Sequence, residues 1–495
     1  MNAQYDVVVV GAGPVGLLTA IELTLGGASV LVLERLAEPS KVLKAGGIGA
    51  LGLEALRRRG MASVIDAAQA RAFAAMEKAA AHGQAPPRGR GSRYIGHFAG
   101  LVLIRRDAQD EPDRHGGPID QQTIEAMLGD RVRALGIEVR RGCEVRGLTQ
   151  QPDGIDVDWT SGTANGRIRC SWLVGCDGGR SSVRKLSGFG FPGCEPTMTM
   201  YQAIAEVDHP ERLAAHGFQY TSGGMYMSFA GRLVMLDFSG PPADRDAPVT
   251  RNEFEDVLRR ASGADVRLKT FENASRWTDN TRLVDTYRKG RVLLAGDAAH
   301  IHSPFGGQGL SLGLADTANL GWKVAAVVRG LMPESLIDTY EAERRPVAES
   351  VLANTLAQVA IMRPDPQSAA MRAIVAKLMD GDDANRFIGG MMSGLANRYD
   401  LGSEHDAVGR LIGDRPVGDG SLYDLMQDGA AVFLDASPGG SASRLVSAAT
   451  QGVRCAPVDA GHSMLIRPDA CIAWAGEKTS IDGLEEALNR WCIPA

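Results

Sequence analysis

Aromatic residues are scarce, 5% of 495, and no apolar run reaches the roughly 20 residues a membrane-spanning helix needs. The apolar stretch Val7 to Ile21 lacks the basic flank of a secretion signal. Basic excess is also missing: 53 Lys and Arg stand against 59 Asp and Glu, leaving a formal charge of −6. A nucleic-acid or anionic-membrane surface is thereby disfavoured, and a small-molecule partner is expected. The 7 cysteines (Cys143, Cys170, Cys176, Cys194, Cys455, Cys471, Cys492) are scattered and contain no CxxC pair. That pattern suits structural thiols in a reducing cytoplasm. Repeats and low-complexity tracts are lacking, so the length implies two or three ordinary domains.

What is present begins at Tyr5. Val7 to Val10 are β-branched and apolar on both faces, the pattern of a parallel strand buried between helical layers. Gly11, Gly13 and Gly16 follow at GxGxxG spacing, with Pro14 and Val15 opening a helix whose Leu17, Leu18, Ile21 and Leu25 recur at helical spacing. The helix N-terminus offers free N–H groups to a diphosphate. After a second apolar run, Val30 to Leu33, Glu34 stands where a carboxylate can accept both hydroxyls of an adenosine ribose, with Arg35 beside it. This fingerprint predicts a dinucleotide site without separating NAD from FAD.

Further along, a helix is expected from Leu51 to Arg59, stopped by Gly60, then mixed character from about 72 to 98 with Pro86-Pro87 as exposed loop. Gln122 to Leu135 reads as helix, Gly142 to Ile168 as a β-meander, and Trp172 to Gly175 as a second buried strand ending on Cys176-Asp-Gly-Gly-Arg-Ser-Ser-Val-Arg184. Tyr201 to Val207, Met225 to Phe229 and Leu233 to Phe238 suggest a separate antiparallel sheet. Met225, Tyr226, Met227, Phe229, Met235 and Phe238 are candidates to line an aromatic pocket, though each is individually better explained as ordinary core. Arg291 to Ala295 is a third buried strand, ending on Gly296-Asp297-Ala-Ala-His300. Ser303-Pro-Phe-Gly-Gly-Gln-Gly-Leu-Ser-Leu-Gly313 leads into a helix through Val328, and a further helix spans Pro333 to Met362.

Three motifs thus stand in order: GxGxxG with Glu34, Asp177-Gly178 through Arg184, and Gly296-Asp297 with its glycine-rich sequel. Together they resemble the group A FAD-dependent aromatic hydroxylases of the para-hydroxybenzoate hydroxylase type over roughly the first 370 residues. The tail resembles the phenol- and polyketide-hydroxylase branch, which adds a thioredoxin-like domain. The resemblance implies an α/β fold: a Rossmann-like FAD-binding domain (1–72, 99–190, 276–370), an antiparallel substrate domain (73–98, 191–275), a helical linker (371–409) and a thioredoxin-like accessory domain (410–495), here without CxxC.

The same resemblance assigns roles. Asp297, with Gly296, would accept a ribityl hydroxyl. Pro304, Gly306 and Gly307 would border the reacting edge of the flavin. Gly306, Gly307, Gln308 and Gly309 would offer backbone N–H groups to the charge that develops on reduced flavin, and Leu310 would also bind the cofactor. Gln121 would lie near the ribityl and phosphate, and Asp177, Gly178 and Arg184 would serve FAD and the nicotinamide cofactor. Lys44 stands where the family often has Arg, keeping charge but losing the bidentate fork. No second GxGxxG follows a buried apolar strand, so NADPH or NADH is expected as a transient reductant and O2 as co-substrate. The implied activity is hydroxylation of a phenolic or polyketide-type molecule through a flavin C4a-hydroperoxide. Baeyer–Villiger insertion, a reductase or oxidase, and a non-catalytic flavin-binding regulator are the alternatives. A halogenase is disfavoured because its WxWxIP motif is absent.

Two further patterns are weighed. Gly309-Leu-Ser311-Leu-Gly313 matches GxSxG, but Ser311 falls inside a glycine-rich helix start where a strand-to-helix elbow would be required. His300 and His302 lack the Cys or carboxylate cluster that would complete a metal site. No substrate base can be singled out; Tyr201, Tyr226 and His97 are candidates only. No membrane or nucleic-acid partner is expected, and a homodimer is possible in this type of enzyme.

Overall fold

The four valines sit where their two-sided apolarity requires. In the computed structural model, which describes residues 4–81, 92–214, 217–229, 231–459, 461–478 and 480–495, Tyr5–Val10 lies inside an eight-stranded sheet. Val30–Glu34 pairs with it in parallel on one side and the end of Ala164–Gly175 on the other. Val292–Leu294 and Glu138–Arg141 extend the parallel part outward. The chain therefore leaves two adjacent strands at Gly11 and Cys176, where the connections diverge. That crevice at the strands' carboxyl ends is where open α/β sheets bind ligands. Helix Pro14–Leu25 packs against Gly309–Val328 and Gln121–Ala134.

One expectation needs correction. Trp172 to Gly175 is not a separate strand: Ala164–Gly175 is continuous, antiparallel to Gly154–Ser161 in its first part and parallel to Tyr5–Val10 in its second. Gly60 does stop its helix: Arg59 and Gly60, the latter with φ 78°, leave helical geometry at a kink, and a new helix, Ala62–Ala81, runs on across residue 72. The Pro86-Pro87 loop lies outside the described residues.

A second sheet is wholly antiparallel, ordered Gly217–Thr221, Gly224–Phe229, Arg232–Asp237, Thr199–Val207, Leu268–Thr278. Its period of two separates its faces. Tyr201, Ala203, Ala205, Tyr226, Leu233 and Met235 bury against helix Arg251–Ser262, which starts on a Thr250/Glu253 capping box. Met200, Met225, Met227 and Leu236 pack on the other side with Phe98, Phe305, Met391 and Met392. Of the candidate pocket residues, Tyr226 and Met235 therefore face away, Phe238 packs at the edge of the Met225 cluster, and the side chain of Phe229 lies outside the described residues.

Helices Pro366–Leu378 and Asp382–Ser393 lead to the C-terminal module. There Val432–Asp435 pairs in parallel with Arg454–Pro457 and antiparallel with Ser463–Ile466, which pairs with Ile472–Gly476. With helices Ser441–Ala449 and Leu484–Trp491 this gives the β-α-β-β-β-α order of a thioredoxin-like module.

Buried charge joins the module to the rest. Arg59, fully buried, forks onto Glu22 at 2.7 and 2.8 Å and donates to the carbonyls of Met426 and Pro468. Arg467 forks onto Glu343 and also pairs with Asp469, while Lys323 and Asn319 complete the cluster. Burial pushes Lys323 down to about 8, against the pull of Glu343. For Glu343 burial acts upward, but Arg467 and Lys323 outweigh it and hold the carboxyl well below its usual range.

Candidate active site

The three glycines of the first motif meet three different neighbourhoods. Gly11 has φ 106°, and a Cβ there would lie 2.5 Å from the Cys176 carbonyl oxygen. A Cβ on Gly16 would lie 1.9 Å from the Gly11 oxygen, so the helix could not seat on the strand. At Gly13 a Cβ would meet nothing within 4 Å, because that residue borders open space at the helix N-terminus. Pro14 opens the helix, and Val15 packs against Gly296 and Gly313 of the third motif. The Glu34 carboxylate accepts from the backbone N–H of Ala12 (2.7 Å) and of Leu36 (2.8 Å), so it braces the glycine turn with lone pairs to spare. Arg35 is exposed and lies away from the cavity.

That open space is one cavity of about 1990 Å³, running from Gly13, Pro14 and Val15 past Asp297 and Pro304 to Met225 and Met227 on the antiparallel sheet. It exceeds the roughly 300–1,000 Å³ of an ordinary small-molecule pocket, so it has room for a dinucleotide and a second molecule. Lys44 and Gln121 border it; Gln121 Nε2 donates to Glu125 at 2.7 Å. The Lys44 carbonyl accepts from Arg232, whose guanidinium also donates to Gln202, and Gln202 in turn holds the Leu43 carbonyl at 2.8 Å. The antiparallel sheet thus grips the loop that carries Lys44.

The second motif is mostly spent on its own geometry. Asp177 accepts from Ser181 Oγ and from the N–H groups of Ser182 and Val183, capping helix Ser182–Leu186. Burial raises its pKa. Gly178, with φ 79°, borders the cavity, whereas Asp177 does not. Arg184 lies over the Phe191 ring, 3.8 Å from its centroid, and donates to the carbonyls of Gly179 and Ala298, which ties the second motif to the third.

In the third motif, Gly296 has φ 60° and turns the chain so that Asp297 is exposed to the cavity. Among the described residues its carboxylate accepts no hydrogen bond. Behind it, Asp316 is fully buried and accepts from Gly296 N–H (3.1 Å), His300 Nε2 (2.6 Å) and Arg344 Nε (2.9 Å). Burial lowers the basicity of His302, whose Nδ1 lies 2.7 Å from the Ser303 carbonyl oxygen. Gly306 (φ 79°) and Gly307 (φ 63°) both need the left-handed region, and a Cβ on Gly307 would meet nothing within 4 Å. Pro304, Gly309 and Leu310 also border the cavity at the start of helix Gly309–Val328.

The Gln308 side chain is engaged within the protein. Nε2 donates to the carbonyls of Met391 and Met392, and Oε1 accepts from Asn354. Only its backbone N–H remains for a ligand. Ser311 Oγ accepts from Gly49 N–H at 2.9 Å, a cross-link between helix and loop with no histidine base on it. Sequence reading missed Asp316, Arg344, Gln202 and Arg232. Asp316 and Arg344 carried a signal, charged residues inside otherwise apolar helix faces, but their partner lies 28 positions away.

A parallel sheet with a glycine cradle, an open carboxylate and a second helix N-terminus along one cavity defines a dinucleotide-binding oxidoreductase scaffold, and its donors and acceptors fit FAD. The chain belongs to the FAD-binding aromatic-ring hydroxylase family: the FAD binding domain model matches residues 4–355, and the aromatic-ring hydroxylase C-terminal model matches 405–495. It is 38% identical to the 12-dehydrotetracycline 5-monooxygenase/anhydrotetracycline 6-monooxygenase of Streptomyces rimosus, with 99% of each chain covered. It is 33% identical to the dialkyldecalin synthase of Streptomyces rugosporus, again over 99% of each. The solved structure of OxyS anhydrotetracycline hydroxylase from Streptomyces rimosus superposes with TM-score 0.85 at 36% identity, covering 99% of this chain and 100% of that one. The protein is a flavin-dependent monooxygenase. Among the described residues no helix is long and apolar enough to cross a membrane.

Proposed function

We propose that the enzyme hydroxylates a bulky, electron-rich polycyclic aromatic of polyketide type, using NADH or NADPH as a visiting reductant and O2 as co-substrate. The observation that carries this reading is the single cavity joining the glycine cradle to a methionine-lined sheet face. FAD, when bound, supplies the oxygen-activating chemistry. Gly13 gives its diphosphate close approach, with Pro14 and Val15 opening the helix N-terminus. Asp297 accepts a ribityl hydroxyl at the turn made by Gly296. Pro304, Gly306 and Gly307 border the substrate side, and the N–H groups of Gln308, Gly309 and Leu310 face the negative charge that reduction brings. The apolar wall of Met225, Met227 and Phe305 keeps water from the reacting oxygen.

The test is turnover of purified, FAD-loaded protein under labelled dioxygen with a panel of polycyclic phenols and quinones. Substrate-stimulated NAD(P)H consumption with one labelled oxygen on a ring carbon supports hydroxylation. A labelled ester or lactone would move the reading to Baeyer–Villiger insertion. A rearranged product without label would move it toward the synthase relative.

A further inference from the structure

The cavity wall at Gly306 is closed by a thioether. The methyl of Met392 occupies the space a side chain on Gly306 would need, 2.3 Å from the position of such a Cβ. Its sulfur faces two amide donors, Asn354 Nδ2 at 3.3 Å and Gln358 Nε2 at 3.6 Å. Asn354 Nδ2 also donates to Gln308, and Gln358 Oε1 accepts from Ala99 N–H. The thioether is therefore the soft member of an amide network that joins the Pro304–Gly307 loop, helix Ser335–Met362 and helix Asp382–Ser393. Among the described residues, no other cavity methionine has a hydrogen bond to its sulfur.

We propose that Met392 is a site of self-oxidation, through which turnover without substrate switches the enzyme down. The inference rests on the placement of the reacting edge proposed above. Dioxygen that takes two electrons from reduced FAD without a substrate leaves as hydrogen peroxide. Peroxide released beside Gly306 meets the Met392 sulfur: the O–O bond breaks, an S–O bond forms, the sulfur loses two electrons, and the second oxygen departs as water. The sulfoxide oxygen is a stronger acceptor than the thioether and is received by the two amides already in place. A polar, bulkier group then presses on Gly306 and on the helix held by Gln308. The seal loosens, and coupling of NAD(P)H consumption to product falls.

The experiment cycles FAD-loaded protein through reduction and air reoxidation without substrate, once with NAD(P)H and once with photoreduction, in the presence of catalase. Peptide mass mapping then ranks the methionines. Expected is one added oxygen on Met392 ahead of Met371, which lies outside the cavity at 47% exposure, with product coupling falling in proportion. Oxidation that follows exposure, with Met371 first, or that catalase abolishes at Met392, overturns the proposal. Met392→Leu, a near-isosteric change, should slow the loss of coupling per cycle several-fold; an unchanged rate overturns it. Bound flavin that cycles visibly while Met392 stays unmodified removes this inference alone. A protein that takes up no FAD removes the underlying site reading as well.

Discussion

Gly13→Val separates binding from folding. Gly13 has φ −75° and ψ −179°, extended backbone open to any residue, and its Cβ would touch no protein atom within 4 Å. Valine is a poorer helix N-cap than glycine, but it also restricts the unfolded chain, so the two effects offset and stability without cofactor should change by less than about 1 kcal/mol. The added methyls would occupy the place of the diphosphate and displace about two charge-assisted N–H contacts, each worth about 1.5–3 kcal/mol. The combined loss of about 3–6 kcal/mol predicts FAD binding weakened by about 10²–10⁴-fold. Fluorescence-quench titration of apoprotein measures it directly. Thermal melts give the control: wild type at 100 times its Kd should gain about 2.7 kcal/mol from FAD, and the variant at the same concentration almost nothing. Gly16→Ala should do the opposite, because its Cβ would lie 1.9 Å from a backbone oxygen; apoprotein stability should fall by about 3 kcal/mol. Wild-type FAD affinity in Gly13→Val, or an apoprotein as damaged as Gly16→Ala, would refute the reasoning.

Asp297→Ala should purify mostly without flavin, because the variant loses the open carboxylate proposed as acceptor for the ribityl chain; a full flavin spectrum after purification would count against that role. Asp316→Ala leaves Arg344, 1% exposed, without its carboxylate and should cost about 3–5 kcal/mol in denaturant unfolding, with Asp316→Asn intermediate. Equal stability of all three proteins would remove Asp316 from the centre of that network. Glu343→Gln should likewise destabilise, and in a pH-dependent way. Because the folded pKa of Glu343 is depressed, its stabilisation is fully present above the unfolded value near 4.3 and wanes as pH falls through the folded one. The gap between wild type and variant in urea midpoint should therefore be wide at pH 7 and begin to shrink only below about pH 4, closing progressively as pH falls further. A gap that does not depend on pH would contradict the assignment.

The sheet's central strand, the glycine cradle and the Gly296-Asp297 turn were legible because each is local: β-branched residues, fixed glycine spacing, a strand ending on an acid. The stop at Gly60 was legible for the same reason: a glycine at positive φ breaks the helix at a kink, and a new helix begins at Ala62. The continuity of Ala164–Gly175 was hidden by its change of partner along its length. The direction of the Gln308 side chain was not legible, because it depends on Met391, 83 positions away. Polar networks of that kind leave no periodic trace in a chain, since one partner's identity is explained only by the other's position.

The arginine fork of Arg59 has an implication for protein engineering. Its guanidinium is shared between Glu22, on the helix that begins at the glycine cradle, and two carbonyls of the C-terminal module. Arg467 and Asp469 return the favour to Glu343 and Asn319. A chimaera that grafted another enzyme's C-terminal module onto this chain would strand buried ions on both sides of the seam. Crossover points that keep residues 22 and 59 with the carbonyls of 426 and 468, and residues 319, 323 and 343 with 467 and 469, should yield folded hybrids, and cuts between them should yield inclusion bodies.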